Sequence, residues 1–157
     1  MREMRAQTDE RSGPHLIFDE EVLSGISEQL GAAYPEEACG GLLGRVVDDG
    51  DVEVVEAVSL ANAREDERRR RYLIGPDAVL ALERRAEKAE LQVIGFYHSH
   101  PDAPAAPSKF DREHAWPWYI YLIVQIQFGR VASTKAWRLT EDRERFAPVA
   151  VDTRKTM

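Results

Sequence analysis

A mixed helix–strand fold, α/β or α+β around a central sheet, is what this sequence predicts, and three observations predict it. Apolar residues at Val22, Leu23, Ile26 and Leu30 have the period of an amphipathic helix. Two valine-rich runs, ACGGLLGRVV and DVEVVEAVSL, flank the turn signal Asp48–Asp49–Gly50 and read as a β-hairpin. Two later runs, LQVIGFYHSH and WYIYLIVQI, have nearly continuous apolar centres, as strands do when both faces are covered.

The elements follow in order. Residues 1–14, MREMRAQTDERSGP, are charged and lack an apolar core segment, so a disordered tail is expected rather than a secretory leader. The domain proper is expected over 15–152, with 153–157 as a flexible C-terminus. Asp19 can cap the first helix, and Gly31 and Pro35 end it. After the hairpin, ANAREDERRR over 61–70 is a polar connection, and Arg71 to Ile74 a short strand. PDAVLALERRAEKAE is a second helix, with Pro76 in its first turn and apolar positions at Val79, Leu80 and Leu82. SKFDREHAW is a short third helix between the two apolar strands, and RVASTKAWRL and RFAPVAV are late strands. No repeat or second-domain linker interrupts the chain.

Bulk properties narrow the function. With 157 residues, 43% of them hydrophobic, the chain suits one domain with a real core. No stretch approaches the ~20 apolar residues of a membrane span. A single cysteine, Cys39, cannot make an intramolecular disulfide, so a cytoplasmic location is the default. The net charge of −7 argues against nucleic acid as partner. The basic run Arg68 to Arg71 follows Glu65, Asp66 and Glu67, which partly cancel it, and reads as a solvated loop.

The chemistry concentrates at 96–111, FYHSHPDAPAAPSKFD. Side chains alternate along a strand, so His98 and His100 project from one face. They stand where the strand gives way to a proline-rich loop, and Asp111 follows at the next helix. Two imidazole nitrogens and one carboxylate make an open zinc site with a fourth position for water. Each piece also has an ordinary reading. His-x-His at a strand end can be an exposed pair, and Ser108 with Asp111 three residues on fits a helix-capping pattern. A base is needed as well, and YPEEACGGLLG provides two candidates before a small-residue strand, Glu36 and Glu37. Residue physics alone does not choose between them. Cys39 in its glycine-flanked strand reads as a small core residue, and His15 and His114 have no partner pattern.

Together these stretches resemble the JAMM metalloprotease family, also called MPN-plus or prokaryotic JAB domains. The family pattern is a glutamate, a distant His-Ser/Thr-His-Pro, then an aspartate after ten intervening residues, with a serine three before it. Here it reads Glu37, His98-Ser99-His100-Pro101, Ser108 and Asp111, with 101–110 filling the gap. Pro35-Glu36-Glu37-Ala38-Cys39-Gly40 matches the family's Pro-x-Glu-x-Cys-Gly entry and selects Glu37. The resemblance extends from about residue 16 to the 140s. It implies a cytidine-deaminase-like three-layer α/β/α sandwich around a mixed sheet. It further implies that His98, His100 and Asp111 bind Zn²⁺, that Glu37 deprotonates the metal-bound water and then protonates the departing amine, and that Ser108 steadies the oxyanion. Ser99 is read as structural.

The same resemblance implies a zinc metallopeptidase cutting a peptide or isopeptide bond after the Gly-Gly C-terminus of a ubiquitin-like protein. The short chain looks more like the compact bacterial members, and that resemblance implies ubiquitin-fold sulfur carriers as partners. A narrow Gly-Gly tail is able to add to a sheet edge. The competing readings are a non-catalytic MPN scaffold for ubiquitin-like tails or partner subunits, and a phage- or cell-wall-associated zinc peptidase. The oligomeric state is left open.

Overall fold

The computed structural model describes residues 14–47, 50–62 and 74–155. The N-terminal tail, Asp48 and Asp49 of the turn, the polar connection from 63 onward with its basic run, and residues 71–73 of the short strand lie outside the described residues.

The amphipathic stripe forms α1 (Glu20–Ala33), with Ile26 and Leu30 buried and Val22 and Leu23 packed beside them. Asp19 stands at its N-cap in extended conformation, yet its carboxylate makes no cap bond and accepts from Arg154 instead. Gly31 does not end the helix. It lies inside it, because a Cβ there would come within 2.7 Å of the Gly129 carbonyl oxygen; the glycine serves close packing rather than termination.

The valine-rich runs form β2 (Cys39–Val46) and β3 (Val52–Leu60), an antiparallel hairpin with a bulge at Leu43/Gly44. The apolar runs form β4 (Gln92–Pro101) and β5 (Ile120–Gln127), paired in parallel. They are joined through α3 (Lys109–His114), a connection typical of parallel neighbours. The late strands are β6 (Arg130–Leu139) and β7 (Phe146–Arg154), and α2 (Pro76–Lys88) precedes β4.

One strand is not evident in the sequence pattern. His15–Asp19, which looks like the run-up to α1, forms β1 and pairs in parallel with both β3 and β7. That strand overturns the expected three-layer α/β/α sandwich. A sandwich needs an open sheet with two edges; here β1 bridges what would be those edges, and the order β1-β3-β2-β4-β5-β6-β7 closes into a barrel. The result is mostly sheet with three short helices among the described residues. Closure also restricts docking of a tail on a sheet edge. Among the described residues only one-sided stretches remain, such as Val55 to Leu60 of β3, which β1 does not cover.

Two cores set the site's position. Alternate residues Leu16, Phe18, Leu42, Val54, Leu122 and Val124 pack with Ile26 and Leu30 of α1. On the opposite face of the sheet, Leu43, Phe96 and Tyr121 pack beneath Leu82 and Ala86 of α2. No helix among the described residues is long and apolar enough to cross a membrane.

The β4–β5 pairing depends on Gly95, where a Cβ would lie 1.8 Å from the backbone oxygen of Ile120. Gly95→Ala must push two strands apart, and overpacking of this kind costs about 3 kcal/mol or more when backbone has to move. Gly25 in α1 has nothing within 4 Å of its Cβ position, so Gly25→Ala is expected to stabilise by about 0.5–1 kcal/mol. Urea midpoints at unchanged m-value check both, and equal midpoints would refute the contrast.

Candidate metal centre

The site begins with strand alternation. Phe96, His98 and His100 share the α2-facing side of β4, while Tyr97 and Ser99 take the other. Both imidazoles are buried, with His98 at 0% and His100 at 7% exposure, and their ring centroids are 4.9 Å apart.

Asp111 is delivered by the start of α3. Ser108 is the N-cap: its Oγ accepts from the Asp111 N–H at 3.0 Å, and Asp111 Oδ2 accepts from the Ser108 N–H at 2.9 Å. The ordinary capping-box reading of this pair is therefore correct, and it is also what aims the carboxylate. Asp111 Oδ2 lies 3.1 Å from His100 Nε2, Oδ1 lies 3.3 Å from His98 Nε2, and the two Nε2 atoms are 3.1 Å apart. One ligand atom from each residue falls within 4.8 Å of the others, all three residues being buried.

Protonation follows from the surroundings. His100 Nδ1 donates to the Pro104 carbonyl at 2.8 Å, which turns the Nε2 lone pair toward the cluster. Burial pulls His98 below its ordinary pKa against the pull of Asp111, which favours the neutral imidazole. Burial also acts to lower His100, but the hydrogen bond and charge of Asp111 outweigh it and raise it. Burial would raise Asp111; electrostatic attraction within the His98 pair and hydrogen bonds from His100, His98 and Ser108 prevail and hold it well below the usual carboxylate range. Without an ion the Nε2 protons bridge the imidazoles to the carboxylate; with those protons released, two nitrogen lone pairs and one carboxylate would face a common point. A divalent ion with a taste for nitrogen and oxygen donors fits that donor set.

The two candidate glutamates separate cleanly. Glu36 is exposed and Glu37 is buried at 6%. Cys39 pairs with His98 across the β2–β4 ladder, so Glu37, two residues earlier, falls on the histidine face, and continuing the register sets it beside His100. Its charge acts on His100 and on Cys39. The Cys39 thiol is fully buried and pushed up to about 12, by burial first and Glu37 second, and its Sγ donates to the Leu60 carbonyl at 3.7 Å. It is a core thiol, without the thiolate a nucleophile needs. His15 pairs with Asp152 across β1 and β7, and His114 sits exposed against Phe110; neither belongs to the His98–His100–Asp111 group.

The sequence pattern assigned no role to Trp116 and Trp118, which stand 51% and 65% exposed and stacked at 5.2 Å. They line a cavity of about 420 Å³ to which Asp111 also contributes, and Arg143 lies 5.4 Å over the Trp116 ring. The signal was present as WPW directly after α3, two tryptophans about a proline with no helical or strand period to bury them.

A buried His-x-His and an aspartate thus meet on one face of a mixed barrel, and a buried glutamate precedes the neighbouring strand. The family described as prokaryotic homologs of the JAB domain matches residues 19–140, and the chain belongs to it. Among its relatives is the desampylase of Haloferax volcanii, 36% identical over 124 residues, which cover 78% of this chain and 85% of that protein. A solution structure of a protein from Salinibacter ruber is 38% identical, with a TM-score of 0.69 over 87% of this chain and 90% of that one. Another, from Desulfitobacterium hafniense, is 24% identical with a TM-score of 0.78 over 90% and 94%; that likeness is one of fold.

Proposed function

We propose that this protein is a zinc-dependent peptidase that hydrolyses a peptide or isopeptide bond after the Gly-Gly C-terminus of a ubiquitin-like protein of the sulfur-carrier type. The observation that carries the reading is the convergence of His98, His100 and Asp111, with Glu37 buried and near enough for its charge to act on His100. The 36% identity to a desampylase supports a substrate of the ubiquitin-like class.

His98, His100 and Asp111 would hold the ion. Bound there, zinc would supply Lewis acidity, of the kind that lowers the pKa of a water to about 7 and polarises a carbonyl. Glu37 takes the proton of the attacking water and returns it to the departing amine, which splits a poor leaving group from the acyl carbon. Ser108 has a second use beyond capping. Its oxygen accepts from the Asp111 N–H, which leaves the hydroxyl proton to donate to the oxyanion of the tetrahedral intermediate.

The test uses the host's own Gly-Gly-ended carriers extended at the C-terminus, incubated with chelated and zinc-restored protein and weighed by mass spectrometry. A product ending in Gly-Gly, formed only with zinc, is expected. Cleavage that persists after exhaustive chelation would overturn the mechanism, and stoichiometric zinc binding with no cleavage would favour a scaffold.

A further inference from the structure

Ser99 lies between the two histidines in sequence but on the other face of β4. Alternation carries its side chain away from His98, His100 and Asp111, and it is fully buried. Its hydroxyl oxygen accepts from the Ala38 N–H at 3.0 Å, and its own N–H donates to the Ala38 carbonyl at 3.0 Å. In a regular antiparallel pair the return bond from Ala38 would go to the Ser99 carbonyl. Here the side chain takes that place, one step beyond the last ladder pair, Cys39 with His98.

The bond that Ser99 captures belongs to the peptide joining Glu37 to Ala38. The other end of that peptide, the Glu37 carbonyl, accepts from Asn62 Nδ2 at 3.3 Å. With both its N–H and its C=O held by side chains, the peptide plane is fixed, and with it the direction in which Glu37 leaves the backbone. Glu37 precedes β2, so no strand ladder does this work for it.

We propose that Ser99 is a positioning residue: its hydroxyl holds the Glu37–Ala38 peptide so that the Glu37 carboxylate stays aimed at the His98–His100–Asp111 cluster. The assignment rests on the peptidase reading above. A displacement of ~1 Å in such a group can cost ~10²-fold. Ser99→Ala is therefore expected to lower kcat by ~10–100-fold with KM within about twofold, and Ser99→Thr, which keeps the hydroxyl, to recover most of it. Zinc stoichiometry should match the wild type, since every ligand is intact.

Two readouts separate positioning from simple structural support. In a Glu37→Gln background, Ser99→Ala should lower kcat no further, because the group it positions no longer works; additive losses would overturn the assignment. In crystals of zinc-loaded Ser99→Ala, the Glu37 carboxylate should be displaced or disordered; an unmoved carboxylate would overturn it whatever the activity. Absence of zinc-dependent cleavage by the wild type would instead strike the peptidase reading, and the crystallographic comparison would still decide the role of Ser99.

Discussion

Glu37→Gln is expected to lower kcat by about 10²–10⁴-fold while zinc remains bound at wild-type stoichiometry. Glutamine keeps the size of the side chain and its buried seat, so packing at this 6% exposed position is preserved. What it cannot do is carry a proton from water to the amine. The loss should therefore fall on kcat, with KM within about twofold, since the substitution removes an interaction made in the transition state rather than in the bound substrate. Glu36→Gln is the matched control. That carboxylate is exposed one residue away and should leave kcat unchanged. Time courses of carrier cleavage together with metal analysis decide the matter. Near-wild-type kcat in Glu37→Gln would remove the proton carrier from the mechanism.

Asp111→Asn should have the largest effect on the metal itself. The carboxylate contacts both imidazoles, at 3.1 and 3.3 Å, and it is the one anionic donor of the cluster. An amide keeps an oxygen able to accept the Ser108 N–H bond, so the cap of α3 survives in part. Zinc affinity should fall by more than the ~10–100-fold that loss of a supporting partner typically costs, with activity recoverable only at high zinc. Wild-type protein at 100-fold excess of zinc over its Kd gains about 2.7 kcal/mol of stability through binding, and most of that gain should vanish in the variant. Asp111→Ala should lose about 1 kcal/mol more in the metal-free form, because it abolishes the capping box of a helix only six residues long. Competition with a chromophoric chelator and melting curves with and without zinc check both parts; an undiminished zinc-induced rise in Tm would exclude Asp111 as a ligand.

The site was more legible in this sequence than the architecture around it. His98, His100 and Asp111 are tied to local rules: alternation puts two side chains on one face, and a capping box fixes a third at a helix start. Such rules act over a few residues and can be read directly. Glu37 needed more. Nothing local distinguishes it from Glu36; the choice depends on the register of β2 against β4, which a motif can encode but periodicity cannot. The barrel was the hardest to see. It depends on five residues, His15 to Asp19, whose short apolar run Leu16-Ile17-Phe18 leads straight into a helix and shows neither a turn nor a hairpin partner. Parallel partners distant in sequence leave no local mark. Gly31 failed as a stop signal for the same reason, since its purpose is a contact with Gly129 on a distant hairpin.

The seam between β1 and β7 ties together residues 137 positions apart, as the His15–Asp152 contact shows. Loop-closure entropy grows only slowly with length, so a span of this size is little harder to close than one half as long. The kinetic burden is different: long-range parallel pairing is intrinsically slow, because closure entropy is lost before its contacts reward it. Once shut, it makes the first and last described strands each other's neighbours rather than frayed borders. The barrel wall is thereby continuous through β4, and the loop after Pro101 joins that wall to the helix carrying Asp111.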